Sequence, residues 1–308
     1  MNKIKAFIKN IIKSNISLEY VYLDLKRFLR EFYLKFFISD ARLLKKLYQK
    51  NFKKELNLND PQTFNEKIQY LKLQQRALIH SYMVDKFKAR DYVAKKINNN
   101  ILIPLLWVGN DPKKIPYDQL PNKFIIKANH NSGPVIIVKN KSTINKKKIV
   151  KELALQLKTN YYLYNREYVY TNIEKKIVVE ELLGDNISDY KIFCFNGNPQ
   201  FIQVDIDRHI KHKRYFYDLD WNPLDFNLAF SKNIVSFGKK VSKPHSLETM
   251  INYAKILSEG FPLLRIDFYE VDNKIYFGEI TFYHGSGFEV FYPDHDKWDR
   301  ILGEKISL

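Results

Sequence analysis

The sequence predicts an α+β protein, and three observations carry that expectation. Near the end of the chain, LLRIDFYEV and KIYFGEITF are short runs rich in Ile, Tyr and Phe, separated by Asp272 and Asn273, the pattern of an antiparallel hairpin. Two more strand pairs show as apolar runs around polar loops: FIIKANHNSGPVIIVKN at 124–140, and DYKIFCFNGNPQFIQVDIDRH at 189–209 with its Asn196-Gly197 turn. Helical spacing opens the chain instead, with Ile4, Phe7, Ile8, Ile11 and Ile12 on one face and an aromatic-rich stretch from Tyr20 to Phe37.

At 308 residues, 45% hydrophobic and 15% aromatic, the chain can bury a full core in one or two domains. A formal charge of +17 points to an anionic partner: a nucleotide, a nucleic acid, an acidic glycan or an anionic membrane. The Lys/Asn/Ile-rich background is a competing source of that charge. A single cysteine, Cys194 in the apolar run KIFCF, excludes an internal disulfide and a cysteine-rich metal site, and suits a reducing cytoplasm. Lys5, Lys9 and Lys13 interrupt the first apolar residues, so no signal peptide is expected, and no apolar run is long enough to span a bilayer.

In chain order, residues 1–56 read as a basic helical extension. Through residues 1–35 it either lies on an anionic membrane surface or packs on the protein body or a second subunit. Thr63 with Glu66 forms a capping box that starts a helix over Phe64 to Leu73. MVDKFKARDYVAKKI predicts a second helix over Met83 to Ile97, and ILIPLLWVG at 101–109 a buried strand. In the 124–140 hairpin, Lys127 ends one strand and Lys139 the other, around the loop His130-Asn131-Ser132-Gly133-Pro134. A strand-end lysine beside a loop is a natural polyphosphate clamp, although many such lysines only decorate a surface. His130 reads as loop packing or a substrate contact, with no second ligand at metal spacing. A helix from Lys146 to Leu157 precedes NYYLYNREYVY, whose tyrosines either stack on a sugar or base or pack as core. IVVEELL at 177–183 is a strand ending in paired carboxylates. Lys211 to Phe230 reads as a loop-rich aromatic segment lining an acceptor site. Thr249 to Glu259 is a helix stopped by Gly260, and the tail YPDHDKWDRILGEKI is a closing helix docked by Trp298 and Ile301.

The C-terminal hairpin is the chemical focus. Ile266, Phe268, Ile280 and Phe282 alternate with Arg265, Asp267, Glu279 and Thr281, which puts the polar set on one face. Two carboxylates on neighbouring strands can hold a hard cation, and Arg265 beside them a phosphate or carboxylate, whereas a plain solvated hairpin would show the same letters. Glycine is scarce, 10 residues in all, yet Gly278, Gly285 and Gly287 crowd this stretch, as where backbone approaches a phosphate or turns sharply.

From about Asn57 onward the chain resembles the ATP-grasp ligases, and among them the TupA-like branch found in bacterial surface polysaccharide clusters. Arg265-Ile266-Asp267, Glu279-Ile280-Thr281 and His284-Gly285-Ser286-Gly287 carry the resemblance, with FNEKIQYLKL at 64–73, Asp85-Lys86 with Arg90, and the 124–140 hairpin. It implies an ATP-grasp fold in four parts: the helical extension 1–56, an α/β region 57–120, a lid lobe 121–183, and a metal and substrate lobe 184–308. Lys127 would then meet the ATP phosphates, Ser132 and Gly133 would cover them, and Lys139 would flank them. Glu180, Glu181 and the backbone at Leu183 would meet the nucleoside, with Asp189 and Lys191 just beyond. Arg208 and Arg265 would hold the reacting acyl phosphate. Asp267, Glu279 and Thr281 would occupy the Mg²⁺ positions. Thr281 replaces the usual Asn there, and the 130–134 loop has one glycine where the family has two or three.

The resemblance implies a carboxylate-amine ligase that uses ATP and Mg²⁺ to join an amino acid or amino alcohol to a uronic acid of a capsular glycan or its nucleotide sugar, with no nucleic acid involved. Two other classes fit the same residues: a kinase phosphorylating a sugar or amino alcohol, and a basic protein that binds nucleic acid or acidic polymer without turnover. A glycosyltransferase is disfavoured because Asp218-Leu219-Asp220 falls in a loop rather than at a strand end.

Overall fold

The computed structural model describes residues 16–185, 187–207, 210–238 and 241–308. Residues 1–15, which hold the first predicted helical stretch, and Arg208 lie outside them. Antiparallel pairing builds two main sheets, as the hairpin patterns predict. The first has strand order β1-β4-β2-β3, formed by β1 (Leu105–Gly109), β2 (Phe124–Ala128), β3 (Ile136–Val138) and β4 (Ile177–Glu181). The second has order β10-β9-β5-β6-β7, formed by β5 (Asp189–Phe195), β6 (Asn198–Ile206), β7 (Lys213–Tyr217), β9 (Leu263–Val271) and β10 (Lys274–Thr281). A small pair joins β8 (Asn227–Ala229) to β11 (Val290–Tyr292).

Helix α1 (Ile16–Phe36) and α2 (Asp40–Phe52) precede α3 (Phe64–Gln74), whose capping box is present: Thr63 Oγ1 accepts from Glu66 N, and Glu66 Oε2 accepts from Thr63 N at 3.1 Å. The helix expected over 83–97 is two, α4 (Leu78–Val84) and α5 (Ala89–Lys96). Asp85 breaks it: its Oδ1 accepts from Phe87 N at 2.9 Å and from Asn129 Nδ2 at 2.8 Å, a local bond that competes with continued helix. The strand expected over 101–109 is also shorter and only half-buried. Asn99–Ile101 forms a single 3₁₀ turn, Pro104 withholds a ladder donor, and β1 sits at the sheet edge, pairing with β4. β1, which lies in the 57–120 region, thus adds to the same sheet as the 124–140 hairpin.

The second sheet has one apolar and one polar face. Ile192, Ile202, Val204, Ile266, Phe268 and Ile280 are buried in the main core with Met250, Ala254 and Leu257 of α8 (Leu247–Ser258). Cys194 lies there too, fully buried, as its apolar surroundings suggest. The first sheet packs Phe124, Ile126, Ile177 and Val179 with Ile149 and Leu153 of α6 (Lys146–Lys158). The aromatic half of RYFYDLDWNPL is a core strand rather than loop: Tyr215, Phe216 and Tyr217 are buried on β7, and Trp221 stacks on Tyr217 at 4.4 Å, while Asp220, Asn222 and Pro223 are exposed. The closing helix α9 (His295–Glu304) docks Trp298 against Phe226, while Leu302 and Ile306 enter the core in place of the expected Ile301.

Candidate active site

Register decides what the polar face of the second sheet holds. Glu279 pairs with Asp267, Thr281 with Arg265, Lys191 with Asp267, and Gln203 with Lys191, so one row of polar side chains crosses β10, β9, β5 and β6. The pairing slips between Phe277 and Glu279. Gly278 sits in that bulge, where a Cβ would meet the Asp267 carbonyl at 3.0 Å.

Arg265 is the hub. Its Nε and Nη2 donate to the two oxygens of Asp267, each at 2.7 Å, and Nη2 also reaches Glu279 Oε1 at 3.0 Å and Thr281 Oγ1 at 3.1 Å. Lys191, nearly fully buried, is held between Asp189 and Asp267 Oδ2, the latter at 2.7 Å. Burial pushes the Asp267 carboxyl up from its ordinary value, against the pull of Arg265 and Lys191. Burial also acts to raise Glu279, but Arg265, Lys86, Lys191 and Lys127 outweigh it and hold that carboxyl at about 2.

That last set of charges is informative, because Lys127 belongs to the other sheet. Its ammonium pairs with Glu180 Oε2 at 2.5 Å, and Arg90 Nη1 reaches Glu180 Oε1 at 3.3 Å. Lys86, between α4 and α5, donates to the Asn131 carbonyl of the 130–134 loop and feels Glu279, Lys127, Asp85 and Glu180 together, although burial, the largest effect, lowers its pKa. The two sheets therefore present charges of both signs to the space between them, Lys127 and Glu180 from the first and Arg265, Lys191, Asp267 and Glu279 from the second.

Not every expected residue joins that set. Glu180 lies on the face of β4 that carries Lys127, but Glu181 points to the opposite face and is exposed. Lys139 is exposed and pairs with exposed Asp185 at 3.6 Å. Ser132 is exposed at the loop tip and bonds to Tyr161, and Gly133 N donates to Asn131 Oδ1 at 3.1 Å. Leu183 follows β4 and is half-buried. Asp189 is buried against Lys191. His130 packs, its Nε2 3.1 Å from the Gln156 carbonyl, and burial lowers its pKa to about 4.

Several residues that the sequence reading passed over support this face from behind. The His284-Gly285-Ser286-Gly287 turn holds three successive residues at positive φ, Gly285, Ser286 and Gly287. Helix α3 clamps it: Gln69 Nε2 donates to the carbonyls of Ser286 and Gly287 at 3.1 and 2.9 Å, and buried Lys72 donates to Ser286 O at 2.7 Å and Ser286 Oγ at 2.8 Å. Burial lowers Lys72 to about 7, with Glu167 opposing. His284 is sandwiched between Arg265 and Glu289. A guanidinium can only donate, so His284 Nδ1 accepts from Arg265 and Nε2–H donates to Glu289, the neutral state that burial also favours. Glu289 continues to Arg214 at 2.9 Å, and Arg214 to Asp205 at 2.7 Å, the latter also bound by Gln203 and His212. Lys86 has a signal in the Asp85-Lys86 pair, and Gln69 and Lys72 lie in the FNEKIQYLKL stretch, to which the sequence reading gives no role.

Two antiparallel sheets, an acidic hairpin on one and Lys127 on the other, agree with the ATP-grasp resemblance of the sequence. Residues 66–307 match the family described as TupA-like ATPgrasp, and the chain belongs to that family. No curated protein matches it in sequence. Among solved structures it is similar to D-alanine–D-alanine ligase from Helicobacter pylori at 17% identity, over 79% of this chain and 69% of that one, with a TM-score of 0.40. It is also similar to the corresponding ligase from Bacillus anthracis at 13% identity, over 65% and 57% of the two chains, with a TM-score of 0.36. The ATP-grasp ligase PsnB complexed with minimal precursor aligns at 10% identity over 67% of this chain, with a TM-score of 0.37; this chain spans only 54% of PsnB.

Proposed function

We propose that the chain is an ATP-dependent carboxylate-amine ligase that forms an amide on a uronic acid of a bacterial capsular or surface polysaccharide, or on its nucleotide-sugar precursor. The observation that carries the reading is the register-matched row of Arg265, Asp267, Glu279 and Lys191 on the second sheet, with Lys127 and Lys86 near enough to act on Glu279. In this reading residues 121–183 form the lid lobe and 184–308 the metal and substrate lobe.

The donor set fits Mg²⁺. Asp267 and Glu279 offer carboxylates at register-matched positions, Glu279 is half-exposed and ionised, and Thr281 adds a hydroxyl. Mg²⁺ takes one or two protein carboxylates and completes its shell with phosphate oxygens and water. Bound there, Mg²⁺ would neutralise phosphate charge. Lys127 and Lys86 draw the triphosphate from the lid side, Lys191 and Arg265 from below, and the Ser132-Gly133 loop excludes water. Glu180 and the Leu183 backbone hold the nucleoside; Arg208, outside the described residues, keeps the acyl-phosphate role that the resemblance implies for it. The substrate carboxylate attacks the γ-phosphate, giving ADP and an acyl phosphate, and the amine then displaces phosphate to form the amide. Positioning and charge neutralisation suffice for the first step, so no nucleophile and base pair is required of the protein.

ADP release measured against a panel of uronic acids and amines, with and without Mg²⁺, tests this. Amine-dependent ADP formation with an amide product supports it. ADP with a phosphorylated sugar or amino alcohol and no amide replaces it with a kinase.

A further inference from the structure

Helix α1 presents an apolar face to solvent along its whole length. Leu18, Val21, Leu25, Phe28, Leu29, Phe32 and Phe36 recur at helical spacing and are each about half exposed or more, from 48% at Leu18 to 67% at Val21. Tyr22, Tyr33 and Phe37 widen the stripe. Its aromatic rings pack on one another along the helix, Phe32 against Phe36 at 4.9 Å and Tyr33 against Phe37 at 5.9 Å. A continuous exposed patch of this kind marks an interaction surface.

Charge identifies the occupant. At 100° per residue, exposed Lys26 and Arg30 flank one edge of the stripe and exposed Lys35 the other. Glu31 is turned to the protein side, where it pairs with Arg27 and Tyr164; Asp24 lies next to Lys35 but is neutralised by Arg27 and Lys158, and Glu19 lies beside Lys26 on the other edge. Residues 1–15 add Lys3, Lys5, Lys9 and Lys13 and no acid. A second copy of this chain would set basic edge against basic edge on a molecule already at +17, with little acid to answer it. An anionic lipid surface offers both the apolar depth and the opposite charge.

From this pattern we infer that α1 is an interfacial helix that seats the protein on a bilayer containing acidic phospholipids. It lies in the surface rather than across it: among the described residues no helix is long and apolar enough to cross a membrane. The helix is fixed to the body, so the membrane would hold the whole chain in one orientation. Arg166 donates to the carbonyls of Leu34 and Ile38 at 2.6 and 2.8 Å, and Glu31 accepts from Asn160 N at 3.0 Å. These anchors lie in the segment that follows α6, so the seat is on the lid side. This inference is independent of the reaction catalysed.

The test is co-sedimentation of the full chain with vesicles of phosphatidylglycerol and phosphatidylcholine against phosphatidylcholine alone. Binding is expected only with the anionic lipid, weakening as salt rises. The combined variant Phe28→Ser, Phe32→Ser and Phe36→Ser should abolish it with the unfolding temperature unchanged, since all three rings are exposed. Lys26→Gln and Lys35→Gln should each lower partitioning about fivefold. Failure to sediment, or sedimentation indifferent to these substitutions, overturns the proposal. So does a concentration-dependent dimer that the triple Phe variant dissolves while vesicle binding is absent, which would assign the face to a second copy.

Discussion

Lys191→Met isolates the buried ion cluster beneath the cleft. The ammonium is held between Asp189 and Asp267 with almost no solvent contact, and Met fills nearly the same volume without charge. Removing one partner of a buried ion pair costs about 3–5 kcal/mol because the remaining charge is left in a poor dielectric. Asp267 keeps both of its bonds to Arg265, so the lower end, about 3 kcal/mol, is expected. In urea, with a slope of about 1–3 kcal/mol/M, that moves the unfolding midpoint down by roughly 1 M or more. The pH dependence gives an independent check of the cause. With the ammonium gone, the Asp267 carboxyl, already pushed up by burial, loses one of the two cations that oppose that rise. The folded variant then binds more protons than the unfolded chain, and its stability rises as pH falls. The deficit against the parent protein should therefore shrink between pH 7 and pH 5. A variant that unfolds within about 0.5 kcal/mol of the parent, in the range of ordinary surface changes, or a deficit that widens on acidification, would refute the claim that this lysine neutralises two buried acids.

Other substitutions separate the roles within the site. Glu279→Gln should lower unliganded stability at neutral pH, because its carboxylate is held well below the ordinary range by Arg265 and nearby lysines, and should abolish the rise in melting temperature produced by Mg²⁺ with ATP, read by thermal shift. Lys127→Ala or Lys86→Ala should each weaken ATP binding about 10- to 100-fold in calorimetry, the worth of one charge-assisted hydrogen bond. Gly287→Ala should destabilise the fold strongly in chemical unfolding: φ is +64, and a Cβ would stand 2.4 Å from Gln69 Nε2 and 2.7 Å from Ile68 Cγ2. Burial holds Lys72 at about 7 against 10.5 when unfolded, so above pH 7 the unfolded chain binds more protons and stability gains with pH. Unfolding midpoints between pH 7 and pH 9 should climb in the parent and flatten in Lys72→Met.

Much of this architecture is legible from period and turn chemistry. The alternation of Ile266, Phe268, Ile280 and Phe282 with Arg265, Asp267, Glu279 and Thr281 fixes both strands and faces, because a half-buried strand must segregate the two sets. The Asn196-Gly197 turn lies where its dipeptide marks it, both residues at positive φ. What the sequence hides depends on side chains that act at a distance. Asp85 reads as an ordinary helix-surface acid until Asn129, far along the chain, shares its oxygen and the helix breaks. Glu180 and Glu181 are equal in sequence, and only the pairing of β4 with β2 turns one toward Lys127 and the other away. RYFYDLDWNPL looks like a loop because its Asp, Asn and Pro punctuate it, yet its aromatic half is a core strand.

The cleft carries its own counter-charges, and this bears on how a polyphosphate would enter. Lys127 is engaged with Glu180, Lys191 with Asp189 and Asp267, and Arg265 with Asp267 and Glu279. Binding a triphosphate is then an exchange of partners rather than the filling of a positive pocket. Each lysine that turns to a phosphate leaves a carboxylate behind in a poorly solvated site, which is unfavourable unless another cation answers it. ATP alone would add negative charge to a wall already held neutral. A divalent ion taken by Asp267 and Glu279 would restore the balance at the point where the lysines are withdrawn. On the proposed function, nucleotide and metal are expected to bind together. ATP affinity measured with and without Mg²⁺ should differ far more than it would for a pocket of unpaired lysines, and equal affinities would show that the carboxylates and lysines do not share one ligand.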